Sequence, residues 1–369
     1  MSLYRTLVRP LLFRCDPERV HDLTIKASAL AGALPPVTDL FNRLYTVADE
    51  RLASTVAGLR FQNPVGLAAG YDKSGRALGL MSALGFGFLE IGSISAERSL
   101  GNPRPRLWRL PEDEAICVHY GLPNDGAETV AQRLAERTWP VPVGINLVKT
   151  NRGLHAAPDD EETILADYCR SAALLKDLGS FLCLNLSCPN TEMGRDFFAE
   201  PGKVAALLTR LQSLNITCPV FLKISPAGGV AALEHLLAEV DPFPWVSGFI
   251  FNLPPGKPAC LRTPRQVWEK LPGAVAGAPA RDASNQSLGE LYRRMDRRRY
   301  QLMAAGGVFT ASDAYDKIRL GASLVQVLTA LIYEGPGLVA EINRGLAGLL
   351  ARDGFRTVAD AVGTAHPLP

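Results

Sequence analysis

The segment Asn185-Leu186-Ser187-Cys188-Pro189-Asn190 is the densest cluster of chemistry-bearing side chains in the sequence. Two asparagines flank a thiol. A cysteine with an ordinary pKa of about 8.5 serves as a general base or nucleophile once its surroundings favour the thiolate. Amides bring paired donors and acceptors that suit a planar heterocycle. Similar small or amide-bearing residues close other short apolar runs: Ala69-Gly70, Ser93, Asn146, Asn185, Asn252, Gly306-Gly307 and Thr329, with one lysine, Lys223, among them. A glycine pair ahead of a helix lets backbone N–H groups approach a phosphate closely. Lys223 could balance negative charge on a bound ring. Singly, each has a plainer reading: turn glycines, turn asparagines, an inert buried cysteine, a solvated lysine. Their recurrence at the ends of apolar runs carries the weight.

Those runs cover residues 64–69, 88–92, 143–148, 181–186, 220–224, 248–251, 301–305 and 323–327. Most are separated by stretches long enough for a crossover helix, such as 160–178, 202–214 and 312–320. Eight apolar strands with intervening helices predict parallel pairing and closure into a (β/α)8 TIM barrel, an α/β fold. Chemistry then belongs at the C-terminal mouth, where the polar residues cluster. A doubly wound open sheet is the alternative. It is weakened by the absence of both G-x-G-x-x-G and the Walker A pattern.

The chain has 369 residues, 47% hydrophobic and 21% charged, the balance of a soluble globular protein with a large core. A net charge of +2 is too small to imply a nucleic-acid partner. No apolar run reaches 18 residues, so no spanning helix is expected, and the N-terminus lacks the pattern of a secretory signal. The seven cysteines are scattered and never spaced C-x-x-C. That predicts neither a disulfide framework nor a metal site, in a cytoplasmic setting.

Residues 1–36 form a separate amphipathic extension ahead of the barrel at 37–369. Leu3, Leu7, Val8, Leu11 and Leu12 recur at helical spacing among Arg5, Arg9 and Arg14. Asp16-Pro17-Glu18 then supplies a cap, a first-turn proline and an acid at the start of a second helix, which stops before Pro35-Pro36. The residues alone favour a helical cap over a membrane-surface anchor.

Longer motifs complete the picture: Leu12-Phe13 with Asp16 through His21; Asn63 through Gly70 with Asp72-Lys73; Gly85-Phe86-Gly87 and Glu90 through Ser93; Gly101 through Arg106 with Arg109 through Asp113; Gly144-Ile145-Asn146; the 185–190 cluster; and Gly321 through Gln326. With these, nearly the whole chain resembles the flavin-dependent dihydroorotate dehydrogenases, in particular their membrane-associated, quinone-using class. The resemblance implies FMN contacts at Ala69, Gly70, Lys73, Ser93, Asn146, Asn185, Lys223, Asn252, Gly277, Gly306, Gly307 and Thr329. It implies a small cyclic substrate, dihydroorotate, held by Asn185, Asn190 and Asn252, with Cys188 as the base. It also implies a quinone acceptor reached past His21 and Arg109, and peripheral contact of the N-terminal helices with the cytoplasmic face of a membrane.

The departures fall on the substrate wall. Cys188 stands where the quinone-using class has serine, as in the soluble class. Val118 replaces a pyrimidine-binding asparagine, and Leu253-Pro254 replaces Thr-Thr. The stretch Ala274-Val275-Ala276-Gly277 stands for Gly-Leu-Ser-Gly, and Leu328 replaces a tyrosine near the phosphate. Val118 and Leu253 leave open a paralogue that applies the same flavin chemistry to a less polar substrate in a specialised biosynthetic pathway. A non-catalytic scaffold, with the arginines at 293–294 and 297–299 as its contact surface, is a further alternative.

Overall fold

A computed structural model describes residues 3–135, 137–153, 156–187, 197–225, 227–252 and 254–366. Its strands, in chain order, are β1 (Ser54–Val56), β2 (Leu59–Phe61), β3 (Val65–Leu67), β4 (Phe88–Ile94), β5 (Leu107–Leu110), β6 (Ala115–Val118), β7 (Val143–Leu147), β8 (Phe181–Asn185), β9 (Val220–Ile224), β10 (Val246–Phe251), β11 (Ala274–Gly277), β12 (Gln301–Ala304) and β13 (Leu324–Val327). Eight of them, β3, β4, β7, β8, β9, β10, β12 and β13, close a parallel barrel in that order. These are the eight expected runs, with no end displaced by more than two residues. Strands buried on both faces need continuous apolar sequence, which is why they were visible. Helices Glu161–Leu175 and Lys203–Gln212 lie within the expected crossovers, and Ala311–Arg319 begins one residue ahead of its own. The last begins at a reciprocal cap between Thr310 and Asp313.

The base of the barrel is aromatic. The β1–β2 hairpin puts Val56 and Phe61 into a cluster with Phe88, Phe181, Phe221, Ile250, Met303 and Leu324. Neighbouring rings meet edge to face: Phe61 with Phe88 at 5.5 Å, Phe88 with Phe181 at 6.2 Å, and Phe181 with Phe221 at 5.6 Å. Room for them comes from glycines on the preceding strands. A Cβ at Gly66 would lie 2.2 Å from Phe88 Cζ, and one at Gly144 would lie 2.1 Å from Phe181 Cζ.

Two additions were not read from the sequence. Strands β5, β6 and β11, inserted in loops at the mouth, form an antiparallel sheet in the order β11-β6-β5. At the N-terminus, the helix Pro17–Ala31 is followed by a third one, Pro35–Tyr45. The proline pair that ends one helical stretch opens the next, because proline is tolerated in a first turn. The extension is pinned by a buried charge cluster. Glu18 Oε1 accepts from Arg106 Nε at 3.0 Å and pairs with Arg104 Nε, also at 3.0 Å.

Gly144→Ala should destabilise the fold by about 1–3 kcal/mol through overpacking against Phe181. Urea denaturation should show a lower midpoint with an unchanged slope, and an unshifted midpoint would contradict this account of the base.

Candidate functional site

Above the aromatic base the barrel turns polar. Glu90 points inward from β4 and is completely buried. Its Oε1 accepts from Asn146 Nδ2 on β7 at 2.6 Å and from Lys223 Nζ on β9 at 3.2 Å. Its Oε2 accepts from Lys223 Nζ at 3.0 Å, Gln326 Nε2 on β13 at 2.6 Å, and the Ala69 backbone N–H at 3.4 Å. Burial alone would raise the Glu90 pKa. The Lys223 charge and the amide donors outweigh that and hold it below the usual carboxylate range.

On this floor stands a cleft of about 1220 Å³, counting its open side. Of the twelve residues expected to hold a flavin, eleven line it: Ala69, Gly70, Lys73, Ser93, Asn185, Lys223, Asn252, Gly277, Gly306, Gly307 and Thr329. Asn146 lies one layer down, fully buried against Glu90 and 3.1 Å from Cys183 Sγ. The rim amides are linked side chain to side chain. Asn252 Nδ2 donates to Asn185 Oδ1 at 3.0 Å, and Asn185 Nδ2 donates to Ser93 Oγ at 3.0 Å. The glycines hold backbone conformations closed to most residues, with φ of +105° at Gly70, +95° at Gly306 and +72° at Gly307. Cys188, Asn190 and Leu253 lie outside the described residues.

The antiparallel sheet supplies the opposite wall. Val118, at the end of β6, is half-buried and pairs with Leu107 on β5 and Ala274 on β11. With Ile116, Leu122, Pro123 and Ala276 it makes that wall apolar.

A second cavity, of about 1140 Å³, lies between the N-terminal helices and the barrel. His21 and Arg109, the two residues that the resemblance assigns to a quinone tunnel, line it together with Thr24, Ser28 and Phe41. It meets the first at Gly70, Lys73, Ile116, Tyr120 and Leu328. At that junction Lys73 Nζ lies 2.8 Å from His21 Nε2 and 4.1 Å from the centre of the Tyr120 ring. Burial, together with the Lys73 charge, keeps the His21 pKa well below its usual value. A neutral imidazole therefore accepts from the Lys73 ammonium. Burial also pulls the Lys73 pKa down to about 8. Arg109 donates to the Cys15 carbonyl at 2.9 Å and stacks 4.6 Å above the Phe13 ring, tying β5 to the extension.

The dihydroorotate dehydrogenase family model matches residues 51–350. The chain belongs to that family. It is 41% identical to the dihydroorotate dehydrogenase (quinone) of Acidithiobacillus ferrooxidans, with 97% of this chain and 98% of the relative covered. The enzyme of the same name from Haloarcula marismortui is 40% identical, with 89% of each chain covered. Among solved structures, Eimeria tenella DHODH in complex with ferulenol superposes with a TM-score of 0.83 at 27% identity, covering 98% of this chain and 99% of that one.

Two residues of this family member's site, Glu90 and Gln326, received no role from the sequence. The available signal was a lone carboxylate inside the apolar run of β4, which must be paired if buried. Glu90→Ala should cost about 3–5 kcal/mol at neutral pH by stranding the Lys223 charge. Because the native Glu90 pKa lies below its unfolded value, its stabilisation is complete at neutral pH and fades as pH falls through the carboxylate range. The gap between wild type and variant should therefore narrow on acidification in chemical denaturation. A gap independent of pH would contradict the pairing.

Proposed function

We propose that this chain is an FMN-dependent dihydroorotate dehydrogenase that converts dihydroorotate to orotate in pyrimidine biosynthesis and passes the electrons to a quinone. The family is generally flavin-dependent, and the main support is the gathering of eleven expected flavin-holding residues on one cleft. The cleft suits such a group. Gln326, which lines it, carries a buried Oε1 with no hydrogen-bond partner, an acceptor available to a ring N–H. The Gly306-Gly307 turn, ahead of the helix Ala311–Arg319, suits a phosphate.

When bound, FMN supplies a two-electron acceptor for the substrate and a donor for the quinone. The protein does the rest. Cys188 takes the proton α to the substrate carbonyl, while Asn185, Asn190 and Asn252 orient the ring by its amide edge. Lys223, held by Glu90, keeps a positive charge under the cleft. The second cavity receives the quinone, with His21 and Arg109 on its wall.

Among the described residues, nine of the twelve large apolar side chains left exposed fall between Leu3 and Leu44: Leu3, Leu7, Val8, Leu11, Leu23, Leu30, Leu34, Leu40 and Leu44. No helix among the described residues is long and apolar enough to cross a membrane. This supports a peripheral anchor, formed chiefly by residues 1–36, on the cytoplasmic face. In liposome flotation, Leu11→Glu with Leu30→Glu should lower the bound fraction severalfold, and undiminished flotation would remove this role.

One observation favours a second reading, a paralogous FMN-dependent dehydrogenase acting on a less polar ring. Val118, which the resemblance sets where the family has a pyrimidine-binding asparagine, lines the cleft among apolar neighbours. A hydrogen bond lost there is worth about 1–3 kcal/mol, or roughly fivefold to 150-fold in dihydroorotate use. Val118→Asn should therefore raise kcat/KM for dihydroorotate at least about fivefold in a quinone-coupled assay. No gain would contradict the placement of Val118 against the substrate. Turnover of a less polar cyclic amide, with none of dihydroorotate, would select the second reading.

A further inference from the structure

Behind the Gly306-Gly307 turn is a buried lysine that the proposed reaction does not use. Lys317, on the helix Ala311–Arg319, has no exposed surface. Its Nζ donates to Asn285 Oδ1 at 2.6 Å and to Ser284 Oγ at 3.2 Å, both neutral acceptors. The charged groups around it are Arg281 and Asp282 on the helix Arg281–Arg294, and Asp313 and Asp316 on its own helix. None of these carboxylates pairs with it directly. Asp313 is taken up by Arg281 Nε at 3.0 Å and by the backbone N–H groups of Phe309 and Thr310. A buried ammonium without a counter-charge is costly. Burial accordingly pulls the Lys317 pKa down to about 7.

The environment of Lys317 connects it to the cleft. Ser284 Oγ donates onward to the Ala305 carbonyl. The same serine packs under Gly306, where an added Cβ would lie 3.2 Å from Ser284 Cβ. Arg281 Nε donates to the Gly307 carbonyl at 2.9 Å. Ala305, Gly306 and Gly307 all line the cleft. The lysine therefore sits one serine behind the turn suited to a phosphate.

We infer that Lys317 is a positioning residue for a phosphomonoester dianion: through Ser284 it shapes the turn, and its ammonium is completed as half of a charge pair only when the phosphate is bound. This rests on the flavin reading above and adds a means by which this chain selects FMN over riboflavin.

Apoprotein prepared from the purified protein, titrated with FMN and with riboflavin by flavin fluorescence, tests it. In Lys317→Met the affinity for FMN should fall about tenfold or more, while that for riboflavin stays put. An equal fall for both ligands would make Lys317 a mere prop, and no change in either would remove its role. Both results overturn the inference and leave the flavin reading standing. Binding of neither flavin by the wild type would overturn the flavin reading and the inference with it. Should the variant not fold, calorimetry on the wild type at pH about 8, in buffers of different ionisation heat, decides. FMN should bind with proton uptake as Lys317 becomes charged, and riboflavin without it. Absence of FMN-linked uptake would overturn the inference.

Discussion

A carboxylate sealed inside a barrel must find its partners among the strands, and Glu90 finds them on four others. Donors from the end of β3 and from β7, β9 and β13 converge on its two oxygens, so one side chain ties together the C-terminal ends of strands far apart in sequence. The Lys223 ammonium is the only cation in direct contact with it among the described residues. Neither charge could remain there alone. The barrel is polarised as a result: interlocking phenylalanines fill its base, and a saturated charge pair forms the floor of its mouth.

Everything at the mouth is arranged over that floor. Linked amides occupy one side of the cleft, glycines with positive φ open the backbone on another, and the β5-β6-β11 sheet closes it with apolar side chains. The N-terminal extension completes the assembly through Glu18, which docks on Arg104 and Arg106. The two cavities then share a wall at Lys73 and Leu328; under the proposed function this would bring the two half-reactions side by side without mixing their sites. Such separation suits a polar ring on one side and a greasy acceptor on the other.

The barrel was legible because its strands are buried on both faces and read as plain apolar runs. The rim was legible because glycines and amides recur where those runs end. The antiparallel sheet was not, since β5, β6 and β11 have only four residues each and β11 lies far from the other two in the chain. The third N-terminal helix was hidden by Pro35-Pro36, a pair that marks a stop and a start equally well. Glu90 was visible as a residue but not as a hub, because its partners come from 21 to 236 positions away. Lys317 was silent for the same reason: an amphipathic helix gives no sign that one of its lysines faces inward.

The central claim is that the rim surrounds a flavin that dihydroorotate can reduce. Anaerobic mixing of the purified protein with dihydroorotate, followed by visible absorbance, tests it most directly. The account predicts a yellow protein whose flavin band bleaches as the substrate is oxidised. A colourless protein would contradict the flavin site, and a yellow one that dihydroorotate leaves unbleached would contradict the proposed substrate.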